Sequence, residues 1–269
     1  MSSQVAKNRA AMPTGANKIL DERTIENDNR NLLNLLKKGI RVLDVGCGSG
    51  ALTYDIATRI APHGIATGID ISEDLIASAK ERYAGIKNIF FHTSDIYHYP
   101  SSEKFDLVTS ARVLQWLDHP KEALARMKTL LKKDACISIL DYNHEKIEWK
   151  PNIPDSMHYF YSAFLEWRKD AGFDNAIADH LEQMFSEIGL NNIIIEDQFE
   201  KIKKPDFKFS DKAGIWSTVA ETRGKQLVKD NYITELQRIT AIKDYNNWIS
   251  TEGQSMQMYL LSATGKNQD

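Results

Sequence analysis

Cysteine is scarce in this chain: only Cys47 and Cys136 among 269 residues. Two thiols can build neither a disulfide framework nor a metal cluster, so stability has to come from an apolar core. An excess of one charge is also missing. The formal net charge of −3 gives no case for a polyanion-binding surface, because nucleic-acid binders carry a basic face. No apolar run approaches the length that spans a bilayer. Residues 1–20 contain no apolar stretch of the kind a secretory signal needs. These absences lead to the expectation of a cytoplasmic protein with no membrane span and no nucleic-acid partner.

What is present is enough for a substantial core: 42% hydrophobic residues and five tryptophans, in a length that fits one large domain. The first fifteen or so residues are polar and are expected to be loose. Residues 18–38 read as one or two helices, ended by Gly39. Short apolar strands then alternate with amphipathic helices, the signature of parallel βαβ units. Ser72 suits a helix N-cap, and residues 118–120 open a further helix. Two segments break this rhythm, 143–172 and 201–253. In the first, Phe160, Phe164 and Trp167 fall at i, i+4 and i+7 and so share one helix face. That face fits a core as well as a pocket wall. In the second, Thr234-Glu235-Leu236-Gln237 matches a capping box. Residues 174–188 read as a helix, 192–196 as a sixth strand and 257–264 as the last strand.

The most informative stretch is Asp44-Val45-Gly46-Cys47-Gly48-Ser49-Gly50. It reads as strand, tight turn and helix start. Glycine permits positive φ and close approach of a ligand to the main chain, and the loop amides are expected to face an acceptor-rich ligand. Gly46-x-Gly48-x-x-Ala51, with Asp70 about twenty residues on, also fits a dinucleotide fingerprint. An NAD-dependent oxidoreductase is therefore one reading, and a non-catalytic cofactor-binding module is another. Asp44 argues against NAD: a carboxylate there repels a pyrophosphate but attracts an amine or a sulfonium.

The same stretch resembles the first motif of the class I S-adenosylmethionine-dependent methyltransferases. Further landmarks follow in that family's order. Gly68-Ile69-Asp70-Ile71-Ser72 resembles the second motif, and Thr93-Ser94-Asp95-Ile96 the acidic step after strand three. Phe105 to Ser110 resembles strand four, followed by Ala111-Arg112-Val113-Leu114-Gln115-Trp116. Leu130-Leu131-Lys132-Lys133-Asp134-Ala135 precedes strand five. The resemblance covers roughly residues 40–141.

It implies an α/β, Rossmann-like sheet of seven strands, the last antiparallel, with helices on both faces and helical lid insertions. One methyltransferase domain would span residues 1–269. An N-terminal helical cap would occupy 18–38, a core 40–142, 174–199 and 254–265, and lids 143–172 and 201–253. The implied reaction is methyl transfer to a small-molecule acceptor by in-line displacement. Gly46, Cys47, Gly48 and Gly50 would pass the amino-acid part of S-adenosylmethionine, and Asp44 would attract its ammonium. Asp70 would accept from the ribose hydroxyls, since a carboxylate offers two oxygens. Asp95 would accept from the adenine amino group, with Ile96 nearby and Ile71 against the ring. Ala111 and Arg112 would line the methyl-transfer channel, with Gln115 beside it.

The acceptor side is read from Phe160, Tyr161, Phe164 and Trp167. His144, just past strand five, and His158, on the aromatic segment, are the candidate bases; each also fits a packing or surface role. Asp141 and Asn143 could offer oxygen ligands to Mg²⁺, but residues 110–112 supply no acidic partner, so no metal is expected.

Overall fold

The structure is a computed structural model that describes residues 4–11, 21, 23–100 and 103–268. Its centre is one twisted sheet. Strands β1 (Arg41–Val45), β2 (Ile65–Asp70), β3 (Ile89–Thr93), β4 (Phe105–Ala111) and β5 (Leu131–Lys150) run parallel. Then β6 (Asn191–Asp197) and β8 (Ser255–Lys266) complete the order β3-β2-β1-β4-β5-β8-β6. β8 is antiparallel to both of its neighbours in that order. A short strand β7 (Glu200–Lys203) pairs with the start of β8. Eight strands are thus present among the described residues, where the sequence resemblance implies seven. The addition forms because β8 outruns β6 and leaves an edge to be paired.

The helices between the parallel strands are α3 (Ala51–Ile60), α4 (Glu73–Arg82) and α5 (Pro120–Thr129). Their apolar stripes and the two sheet faces form two core clusters. The β1 and β4 strands sit in the middle, and Val42, Leu43, Val108 and Ile137 are fully buried. This burial on both faces is why their sequences are nearly continuous apolar runs rather than alternating ones.

Two expectations change, at the N-terminus and after β5. Residues 4–10 form a helix, α1 (Gln4–Ala10), where a loose terminus was expected. It is tied down by Arg9, which donates to the Trp167 carbonyl and whose guanidinium stands 4.9 Å from the Trp167 ring centroid. Of the cap expected over 18–38, the described residues show Asp21 in a helix, then a short helix α2 (Ile25–Asp28) and a 3₁₀ turn at Arg30–Leu32; residues 18–20 and 22 lie outside the described residues. Finally, residues 143–150 do not begin a lid. They prolong β5 against β8, with a register shift between Asn143 and Glu148.

The remaining helical segments cover the sheet. Helix α6 (Asp155–Lys169) buries Met157, Phe160, Tyr161, Phe164, Trp167 and Arg168, a stripe of helical period. It is followed by α7 (Ile177–Glu187), which covers β5, β6 and β8. Between β7 and β8 come α8 (Phe209–Ala213), α9 (Ile215–Thr222), α10 (Gly224–Lys229) and α11 (Glu235–Ser250). The α11 start is a capping box: the Gln237 amide donates to Thr234 Oγ1 at 3.2 Å, and the Thr234 amide donates to Gln237 Oε1 at 2.8 Å. The α11 helix packs against α6.

Candidate cofactor and acceptor cavity

A cavity of about 630 Å³ opens at the carboxyl ends of the parallel strands, the usual ligand position in an open α/β sheet. Its size falls in the range of small-molecule sites, roughly 300–1,000 Å³. One wall is made by the loops after β1, β2, β3 and β4.

The glycine loop after β1 has Gly46, Gly48 and Gly50 at φ of 74°, 55° and 83°. At Gly46 a Cβ would lie 2.2 Å from Val113 Cγ2, so only glycine fits. Four of the loop amides are engaged inside the protein. Those of Gly46 and Cys47 donate to the Ile69 carbonyl, that of Gly48 to Asp70 Oδ2 at 2.9 Å, and that of Gly50 to the Cys47 carbonyl. Those four donors are therefore not available to a pyrophosphate, which an NAD site holds through such amides. Gly46, Cys47 and Gly48 line the cavity. Gly50 does not: it opens α3 and sits against Phe91, whose ring a Cβ would approach to 2.6 Å. Its role is helix–strand packing. The Cys47 thiol is held protonated by burial, which pushes its pKa up.

Asp44 is buried on this wall, and its Oδ2 accepts from Thr53 Oγ1 at 2.6 Å. Burial pushes its pKa up to about 6, so the carboxylate form gains from a cationic ligand. Asp70 accepts from the Ser72 amide on Oδ1 and from the Gly48 amide on Oδ2, both at 2.9 Å. Each oxygen keeps a second lone pair for a ligand hydroxyl. Ile71 stands beside it 62% exposed, an apolar surface on the cavity wall. Asp95 lines the same end and accepts from the Tyr97 amide at 3.1 Å, with Ile96 buried next to it. Ala111 and Arg112 line the cavity after β4. Arg112 has φ of 62°; its Nε donates to Tyr142 Oη at 2.8 Å, and its Nη2 pairs with Glu200.

The other wall joins distant segments. His144 is buried and lines the cavity. Gln115 fixes its tautomer: Gln115 Nε2 donates to the Arg112 carbonyl at 3.2 Å, which turns Oε1 toward His144 Nε2 at 2.6 Å. Nε2 therefore carries the proton, and Nδ1 is left as a buried acceptor with no partner among the described residues. Burial, helped by the charge of Arg168, holds the His144 pKa well below its usual value, so the ring is neutral. Arg168 is fully buried; it donates to the Gln115 carbonyl at 2.8 Å and lies 4.4 Å from the Trp116 ring centroid.

Of the aromatic candidates only Phe164 lines the cavity. Phe160 and Trp167 lie inside the core, and Trp167 Nε1 donates to Asp230 Oδ2 at 2.7 Å. Tyr161 is also behind the wall, its hydroxyl donating to the His144 carbonyl at 2.6 Å. A helix stripe that wide has only its edge on the cavity. His158 is solvent-exposed on α6, away from the lining. Sequence reasoning missed Arg23, Tyr142, Trp216, Arg223 and Met258, which all line the cavity. Only Tyr142 carried a local signal, since residues 142 and 144 of a strand share a face.

Comparison with known proteins agrees with this arrangement. A methyltransferase domain family matches residues 36–202, from just before β1 to β7. Malonyl-[acyl-carrier protein] O-methyltransferase of Bacillus cereus is 30% identical over 124 residues, 44% of this chain and 45% of that protein. The match thus spans less than half of that relative. Demethylmenaquinone methyltransferase of Staphylococcus aureus is 27% identical over 176 residues, 59% of this chain and 70% of that protein. A SAM-dependent methyltransferase from Aquifex aeolicus shares the fold at a TM-score of 0.54 and 16% identity, covering 95% of this chain and 99% of that one. So does Haemonchus contortus phosphoethanolamine N-methyltransferase 2 in complex with S-adenosyl-L-methionine, at 0.56 and 18%, covering 90% and 52%. With the family model spanning more than half of its length, the chain belongs to the class I S-adenosylmethionine-dependent methyltransferases.

Proposed function

We propose that this protein transfers a methyl group from S-adenosylmethionine to a small-molecule acceptor, and that residues 1–269 act as one methyltransferase domain with the segments 155–172 and 209–250 closing the acceptor side. The observation that carries the reading is the single cavity that joins three strand-end carboxylates to a neutral, tautomer-fixed histidine. The residues fit the cofactor by their chemistry. Asp44 suits its ammonium, Asp70 its ribose hydroxyls, and Ile71 with Asp95 and Ile96 its adenine. Ala111, Cys47 and the Gly46 and Gly48 backbone complete that side. When bound, the cofactor supplies a methyl carbon activated by its sulfonium.

The chain's own residues then position and deprotonate. Phe164, Trp116 and Trp216 exclude water around the acceptor. Holding the acceptor in line converts the displacement into an intramolecular event. His144 Nδ1 accepts the acceptor's proton, while Gln115 keeps the ring in the tautomer that leaves this atom open. The lowered pKa keeps it a free base through neutral pH. The acceptor is small and the setting cytoplasmic, with no nucleic-acid partner; the weak net charge supports this, and no described helix is long and apolar enough to cross a membrane.

The test is transfer of labelled methyl from S-adenosylmethionine to fractions of a small-metabolite extract. Transfer is expected, and His144→Gln should lower kcat by about 10²-fold or more, the range for a general base. Unchanged kcat in that variant would remove the base. Cofactor binding with no transfer to any fraction would favour the non-catalytic module.

A further inference from the structure

Charge is distributed unevenly around the cavity. Its lining carboxylates are Asp44 and Asp70, at the ends of β1 and β2, and Asp95, in the loop after β3. Its lining cations come from elsewhere: Lys7 on α1, Arg23 before α2, Arg112 after β4 and Arg223 after α9. No carboxylate among the described lining residues comes from those segments.

Two of these cations have unspent donors. Arg112 is 7% exposed, and its Nη1 has no partner although Nε and Nη2 are engaged by Tyr142 and Glu200. Arg23 is partly buried on the same wall, with no hydrogen bond or ion pair to another described residue; burial and the nearby charge of Arg112 lower its pKa, against the opposing charges of Tyr142, Asp28 and Glu200. Arg223 differs: it donates to the carbonyls of Arg9, Ala10 and Ala11, and so fastens the end of α1. Guanidinium donors withdrawn from water without an acceptor are costly, and an acceptor brought by a ligand removes that cost.

The cofactor alone does not balance this half of the cavity. It brings a sulfonium and an ammonium against a single carboxylate, and that carboxylate can neutralise one cation at most. On the described residues of that side an ammonium acceptor would meet guanidiniums and no lining carboxylate. The remaining surface is apolar: Trp116, Phe164, Ile215, Trp216, Val219 and Met258.

We infer that the methyl acceptor is an anion, a largely apolar ring-sized molecule whose carboxylate or similar acid group is held by Arg23 and the open Nη1 of Arg112. This inference rests on the methyl-transfer reading and narrows it.

The test uses the full chain saturated with S-adenosylhomocysteine and three probes of one shape: 1-naphthoate, 1-naphthol and 1-naphthylmethylammonium. Calorimetry should rank naphthoate first and the ammonium last. Arg23→Gln should weaken naphthoate about tenfold or more, the effect of a lost hydrogen bond between charged groups, and leave naphthol within about twofold. A second arm titrates S-adenosylhomocysteine and 5′-methylthioadenosine, which lacks the amino-acid part, into both proteins. Arg23→Gln should leave both affinities in place. If it weakens S-adenosylhomocysteine alone and spares naphthoate, Arg23 holds the cofactor's own carboxylate and the inference is overturned. Binding of the ammonium as tightly as the acid, or of no probe, overturns it too. Failure of S-adenosylhomocysteine to bind the unaltered protein would show in the first titration and would remove the cofactor reading itself.

Discussion

The two walls of the cavity are built by different means. The cofactor wall is assembled from the ends of four consecutive parallel strands and the loops that follow them, with Asp44, Asp70, Asp95 and Ala111 one from each. The acceptor wall is gathered from α1, the turn before α2, the far end of β5, α6 and α9. The first is a consequence of the strand order, because every loop at that sheet end faces the same crevice. The second exists only through contacts between segments more than a hundred residues apart, such as the bond from Arg223 to the Arg9 carbonyl. A wall of the first kind can be kept by local sequence alone. A wall of the second kind depends on the core behind it.

That contrast can be broken first where the acceptor wall is most dependent. Trp167 stands behind the wall at 0% exposure, bonded to Asp230 and beneath Arg9. Trp167→Ala should destabilise the fold by about 3–5 kcal/mol, the cost of deleting a buried aromatic, as read by denaturant titration. The cofactor affinity of the folded fraction should stay within about twofold.

The cofactor wall is sharpened by pH. Asp44 has its pKa raised to about 6 by burial. A cationic group binds the carboxylate form, so below that pH a proton has to leave before binding. Affinity for S-adenosylhomocysteine should therefore be flat above about pH 6.5 and fall by up to about tenfold per unit below pH 6, one pKa unit being worth about 1.4 kcal/mol. Asp44→Asn should abolish this dependence. A profile unchanged by that substitution would detach Asp44 from the ligand.

The smallest effect marks the edge of the acceptor wall. His158 is exposed and away from the cavity. His158→Ala should change stability by less than about 0.5 kcal/mol and leave methyl transfer unaltered, in contrast to His144→Gln.

The strands and the acids at their ends were legible because both are local. An apolar run followed by Gly or Asp shows the strand end directly, and parallel βαβ connections then set its place in the sheet. Loop detail was not legible. The sequence of residues 46–50 does not say that the amides turn inward to Ile69 and Asp70 rather than toward a ligand. The i, i+4, i+7 spacing on α6 defines one face, but Phe160 and Trp167 lie in the core and, of the three, only Phe164 reaches the cavity. Periodicity gives a face and not what lies opposite it. Arg23 and Arg223 had no local signal at all, since an isolated arginine in a polar stretch reads as solvated surface.

The most direct measurement is calorimetric titration of the unaltered chain and Asp70→Ala with S-adenosylhomocysteine and, separately, with NAD. The account predicts one site for S-adenosylhomocysteine and no comparable response to NAD. Asp70→Ala should weaken the first by about 1.5–3 kcal/mol, since it removes hydrogen bonds to a charged group and frees the Gly48 amide that Asp70 now holds. Binding of NAD with no response to S-adenosylhomocysteine, or equal cofactor affinity in the two folded proteins, would contradict it.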